Sequence, residues 1–166
     1  MKELIVFPVL ALVVMLQSAV VSRVPLLWGY ADLMLVVLVA WALQPRINTA
    51  WHWAVIGGFL MGFISGVPWF VPLFGYLLVV AAAQLLRRRI WQAPLLSVFA
   101  VTFFGTLVIH VLSLVVLNLL GHPLPVADSL GLITLPSLLL NLLISIPVYS
   151  VIRDLANWMV PAEDEE

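Results

Sequence analysis

Strongly polar side chains are rare in this chain, and several recur at helical spacing. Thr102, Thr106, His110 and Ser113 follow one another at steps of four, four and three. Thr134, Ser137, Asn141 and Ser145 do so at three, four and four. Residues three and four apart share one face of an α-helix, so each set forms a polar stripe. Two inward-facing stripes can hydrogen-bond across helices and fix their packing, or can line a cavity for a small ligand or a proton. In that arrangement Thr106, His110, Ser137 and Asn141 form the central cluster. No carboxylate and no second basic group accompanies His110 in its stretch, which weakens a proton-transfer reading.

Asp32 is the other landmark. It can cap a helix by accepting a bond from a backbone N–H that lacks a helical partner, or it can be a polar anchor for a partner or ligand. Gly58, Gly62 and Gly66 are spaced four apart. A glycine stripe lets another backbone come close, either that of a neighbouring helix of this chain or that of a partner. Catalytic patterns are absent: there is no H-E-x-x-H, no G-x-S-x-G and no phosphate-binding loop. His122 and Asp128, six apart, are a weak metal signal. There are no cysteines, so disulfides, thiolate metal sites and cysteine nucleophiles are excluded. No catalytic residue, cofactor site or metal site is assigned from the residues.

The elements that position these groups follow from composition. Of 166 residues, 64% are apolar and only 9% are charged, and the mean hydropathy is +1.21. A soluble domain is typically about 25% charged. A chain with so few charges cannot coat a water-facing surface, nor supply the dense charge of a disordered segment or a nucleic-acid binder. The charges instead delimit long uncharged stretches, including Ile47–Leu86 and Ile90–Ala127. About 20 residues cross roughly 30 Å of hydrocarbon, and Gly66-Val67-Pro68 divides the first of these stretches. The pattern predicts one membrane domain over 1–166 with six helices, at about Leu4–Val21, Leu26–Leu43, Trp51–Gly66, Trp69–Leu86, Leu95–Leu120 and Leu130–Ile152. Counting Asp32 into the second span gives it the length to cross. The first apolar run exceeds the 7–15 residues of a signal-peptide core and is read as retained.

Basic residues favour the cytoplasmic side. With the N-terminus inside, that side receives Lys2, Arg46, Arg87, Arg88, Arg89 and Arg153, and the other receives Arg23. Both termini are therefore expected in the cytoplasm, with Pro161–Glu166 a short acidic tail. Trp28, Tyr30 and Trp69 fall near the outer interface, and Trp41, Trp51, Trp53, Trp91 and Trp158 near the inner one, where such rings prefer to lie.

Several short motifs appear in a familiar order. Ala31-Asp32-Leu33 opens the second span and Leu43-Gln44-Pro45-Arg46 closes it. The run from Gly58 to Pro68 follows, then Tyr76-Leu77-Leu78 and Arg87-Arg88-Arg89. The last span carries Asn141-Leu142-Leu143, Pro147-Val148-Tyr149 and Arg153. Over nearly the whole chain this order resembles the bacterial rod shape-determining protein MreD family. The chain departs from that pattern in having Ala31 where the family usually has Pro, and Gly62 where an Asp is common.

The resemblance implies a fold similar to the six-helix substrate-binding subunits of energy-coupling-factor vitamin transporters. It also implies a non-enzymatic scaffold of the cell-elongation machinery in the bacterial cytoplasmic membrane, without a cofactor. Its direct partner would be an MreC-like single-span membrane protein. Through that partner it would be linked to a RodA-type glycosyltransferase, its transpeptidase and MreB filaments, and so to peptidoglycan synthesis and rod shape. Apart from membrane lipids no other class of partner is expected. On this reading Gly58, Gly62 and Gly66 are the preferred docking or close-packing stripe and Asp32 the preferred polar landmark. The alternative is a vitamin-binding transporter subunit. That reading needs a polar pocket in the outer half, where Asp32, Asn118, His122 and Asp128 are the available groups. An intramembrane enzyme using His110 is a third reading.

Overall fold

The computed structural model describes residues 2–87, 94–122 and 125–160. Arg88, Arg89, Trp91, Pro123-Leu124 and the acidic tail lie outside the described residues. The described chain is helical, with no strand beyond an isolated bridge between Leu26 and Gly29. Its helices are α1 (Val6–Ala19), α2 (Leu33–Ala42), α3 (Ala50–Ile64), α4 (Phe70–Arg87), α5 (Pro94–Leu119), the single turn α6 (Val126–Asp128) and α7 (Leu135–Met159). A π-helical turn, Ser129–Thr134, joins α6 to α7.

Local sequence accounts for several helix ends. Pro94 opens α5, where its missing N–H costs nothing. Gly121 ends it in the left-handed region at φ 84°. There His122 N donates to Leu117 O at 3.0 Å and Gly121 N to Asn118 O at 3.1 Å, the paired bonds of a Schellman stop. At the start of α2 the Asp32 carboxylate accepts from Leu35 N at 2.9 Å, an N-cap as the sequence suggests.

Four helical stretches are long and apolar enough to cross a membrane: Val6–Arg23, Phe70–Arg87, Pro94–Leu119 and Val126–Met159. The helices α2 and α3 are shorter, at 10 and 15 residues. The bundle is apolar outside as well as inside, and some of its polar side chains are buried. Phe63, Leu119 and Leu143 are exposed, while Gln17, Thr102, Thr106, Ser137, Asn141 and Ser145 are buried. Large exposed apolar surfaces mark contact with lipid or with other proteins.

The centre of the bundle is α2. It touches α1, α3, α4, α5 and α7, and every residue from Met34 to Ala42 is buried. A helix enclosed on all sides has no polar face, which is why Leu33–Ala42 is apolar throughout.

Two expected spans need correction. The second was expected as a helix over Leu26–Leu43, but helix forms only after Asp32, and Val24–Ala31 is not helical. Leu27 has φ 56°, which breaks any helical run. The segment also finds hydrogen-bond partners on other helices, so it has no need of its own helical bonds. The sixth was expected over Leu130–Ile152. Its α-helix instead begins at Leu135 and runs past Arg153 and Asp154 to Met159. These two charges are exposed and paired with each other at 3.4 Å, so they do not end the helix. The remaining helix ends lie within two residues of the expected ones.

Candidate functional site: a polar network at the start of the buried helix

The chain reaches α2 through a non-helical segment that turns at Leu26–Gly29 and packs along α1 and α7, with Gly29 and Ala31 buried and Leu27, Trp28 and Tyr30 exposed. Non-helical backbone among membrane helices must be satisfied by protein groups. Alternate N–H groups turn toward one side: Trp28 N donates to Leu132 O at 3.1 Å, Tyr30 N to Ser137 Oγ at 3.0 Å, and Asp32 N to Asn141 Oδ1 at 2.6 Å. On the other side the Gln17 amide of α1 acts like a neighbouring strand. Its Nε2 donates to Ala31 O at 2.8 Å and its Oε1 accepts from Leu33 N at 2.7 Å. Gly29 is what permits the approach to α7. A Cβ there would lie 2.6 Å from Ile133 O and 2.7 Å from Ser137 N, closer than any side chain tolerates.

The network continues through side chains. The Tyr76 hydroxyl of α4 lies within bonding distance of both Asp32 oxygens. Asn141 Nδ2 donates to Thr106 Oγ1 at 2.9 Å, and Thr106 Oγ1 donates to Thr102 O at 2.7 Å. Asp32 therefore accepts from a backbone amide and a phenol, and among the described residues it has no ion pair. Thr102 Oγ1 and Trp41 Nε1 are buried without a bond among the described residues. Trp41 stacks on Trp53 with ring centroids 4.1 Å apart.

The four residues of the central polar cluster divide. Thr106 and Asn141 bond directly, and Ser137 holds the extended segment. His110 stands apart: its Nδ1 lies 3.0 Å from Thr134 Oγ1. The Thr134 hydroxyl also lies 3.2 Å from Ser129 O, to which it can donate. His110, Ser113, Ser129 and Thr134 share the wall of a cavity of about 220 Å³ beside the π-helical turn.

The glycine stripe is mostly occupied from within. A Cβ at Gly58 would lie 2.6 Å from Leu73 Cα, and one at Gly62 would lie 2.9 Å from Trp69 Cα. Gly58 seats α4 against α3 at Leu73, and Gly62 seats the residue just before α4, Trp69. Gly75 faces Ile109, and Gly66 has nothing within 4 Å. Between α4 and α5 an apolar groove of about 520 Å³ runs from Leu86 and Leu96 to Val108, past Ala82 and Ala100.

Sequence reasoning singled out neither Gln17 nor a role for Tyr76 beside Asp32. Gln17 carried a signal, as the one amide in an otherwise apolar first span. Tyr76 stood out only as part of a short motif inside the fourth span, which does not say what its hydroxyl bonds. Among the described residues no three of His, Cys, Asp and Glu come together.

Fold and network together define an all-helical protein with apolar helices long enough to cross a membrane and its polar groups turned inward. No family model, no curated protein and no solved structure matches the chain.

Proposed function

We propose that this chain is a non-enzymatic scaffold of the bacterial cell-elongation machinery, set in the cytoplasmic membrane with both termini inside. In this reading it makes six passages. The ten residues of α2, at 1.5 Å per residue, cover about half of the roughly 30 Å of hydrocarbon, and the non-helical stretch before it supplies the rest of the second passage.

One observation carries the proposal: the polar side chains around Asp32 are committed to one another and to backbone. Gln17, Tyr76, Thr106, Ser137 and Asn141 all bond within the network around Asp32. A site that works chemically keeps polar groups available to a substrate. Here the available surface is the apolar exterior, which is suited to binding other membrane helices.

The partner is an MreC-like single-span protein, and through it a RodA-type glycosyltransferase, its transpeptidase and MreB filaments. With Gly58 and Gly62 covered by α4 and by Trp69 just before it, the groove between α4 and α5 is the better seat for the partner helix. Its small Ala82 and Ala100 allow close backbone approach. The test is co-purification of the MreC-like protein of the same genome in mild detergent, with Ala82→Phe and Ala100→Phe as groove-filling variants. Association lost in both variants supports the reading. No association with the native chain, and rod shape unchanged after depletion, would sink it.

The cavity beside His110 favours a second reading, a vitamin-binding transporter subunit. At about 220 Å³ it falls below the roughly 300–1,000 Å³ of typical ligand sites. A small molecule found by mass spectrometry of the purified protein would favour this reading over the first.

A further inference from the structure

The turn after α2 concentrates positive charge. Arg87, at the end of α4, donates from Nη1 to Gln44 O at 2.7 Å and to Ile47 O at 2.5 Å. Ile47 N closes the same turn onto Gln44 O at 3.2 Å. The guanidinium therefore pins the turn from one side. On the turn itself stands Arg46, exposed and, among the described residues, without a hydrogen bond or ion pair. The turn thus carries Arg46 and is held by Arg87. The carboxylate of Asp154 is paired with Arg153.

Arg46 lines a cavity of about 450 Å³ between this turn and the end of α7. Asn157 lines it from α7, also with no bonded partner among the described residues. Pro45, Ile47, Ala156 and Val160 supply apolar wall. The cavity lies at the end of the bundle that also carries the exposed rings of Trp51 and Trp158, residue types that settle at headgroup level. Two donors and a guanidinium charge without partners among the described residues, beside apolar walls at that level, match one kind of occupant. Arginine grips phosphate oxygens through two parallel bonds, and basic pockets at helix ends bind acidic headgroups.

We propose that this cavity holds the phosphate of an anionic phospholipid, with Arg46 and Asn157 as its donors and the glycerol and upper acyl chain against the apolar wall. A lipid is favoured over a soluble anion because the site sits where acidic headgroups are concentrated. The proposal rests on the membrane setting of the helices and not on any protein partner. It can therefore fail or hold independently of MreC-like binding.

The experiment is native mass spectrometry of the full chain in mild detergent, titrated separately with phosphatidylglycerol and phosphatidylcholine. The expected result is a preference for phosphatidylglycerol that falls about fivefold in Arg46→Gln, the effect of one arginine near an acidic surface. Arg46→Lys, which keeps the charge but not the paired bonds, should fall between the native chain and Arg46→Gln. Thermal unfolding of each variant should match the native chain, since Arg46 is exposed and makes no internal bond. Equal binding of the two lipids, or an unchanged preference in folded Arg46→Gln, overturns the proposal. So does displacement of phosphatidylglycerol by millimolar inorganic phosphate, which would make free phosphate the ligand. Removal of residues 161–166 is the last arm. If phosphatidylglycerol binds only after that removal, the chain's own acidic tail is the occupant and the lipid is not.

Discussion

The Tyr76 hydroxyl lies 3.0 Å from one carboxylate oxygen of Asp32 and 2.9 Å from the other. This contact ties the middle of α4 to the first turn of α2. The same carboxylate caps that turn through Leu35 N. The N–H of the same aspartate is held by Asn141, 109 positions away along the chain. Three helices thus converge on one residue, which fixes where the buried helix begins.

Replacing Tyr76 by Phe removes one interhelical bond and leaves Asp32 its backbone donor. In a membrane protein such bonds contribute about 0.6–2 kcal/mol, so Tyr76→Phe should lower stability by that amount in thermal or SDS unfolding. Asp32→Leu loses the cap as well and leaves Leu35 N and the Tyr76 hydroxyl without an acceptor. With unsatisfied buried groups costing about 1–3 kcal/mol each, it should be clearly worse. Asp32→Asn, which can still cap, should fall between them. A Tyr76→Phe effect as large as that of Asp32→Leu would contradict this order.

Asn141 joins backbone on one side to Thr106 on the other. Asn141→Leu strands the Asp32 N–H and should cost about 2–4 kcal/mol by the same reasoning. Thr106→Val removes the acceptor of the Asn141 amide and the hydroxyl's local bond to Thr102 O, strands no backbone N–H, and should cost about 1 kcal/mol. The gap between the two variants, read by unfolding in mild detergent, measures how far the extended segment depends on α7.

The three spaced glycines should separate sharply on substitution by Ala. At Gly58 the nearest atom to a new Cβ is backbone, Leu73 Cα at 2.6 Å, so α4 itself must move. Overpacking of this kind costs about 1–3 kcal/mol. Gly62→Ala meets Trp69 backbone at 2.9 Å and should also be destabilised. At Gly66 a methyl group meets open space, so Gly66→Ala should stay within about 0.5 kcal/mol of the native chain. Reduced partner association in stable Gly66→Ala would instead mark that position as an external contact.

His110→Leu tests the enzymatic alternative. The change removes the bond to Thr134 Oγ1 but leaves Thr134 able to donate to Ser129 O. On the scaffold reading the variant should fold, associate with its MreC-like partner and restore rod shape in a depleted strain. A folded His110→Leu protein that fails to restore shape would place chemistry at the histidine and count against the scaffold.

Much of the architecture was legible in the order of residues. Scarce charge and long apolar runs called for apolar helices, and the threefold and fourfold spacing of Thr106 and Asn141 put them on inward faces that do meet. The cap at Asp32 could be read because capping is local, its partner Leu35 lying three residues on. What lay beyond reach was the state of Leu26–Ala31. An apolar run of that composition is helical by default, and only partners 14 to 109 positions away, on α1 and α7, make an extended path the better satisfied one. The same holds for Gln17 and Tyr76, whose roles exist only once α1 and α4 pack on α2, and for Gly58 and Gly62, whose spacing permits close approach without saying which helix makes it. Spacing along a chain fixes which side chains share a face. Which face meets which is set by satisfying every buried backbone group at once, and that is a property of the assembled bundle.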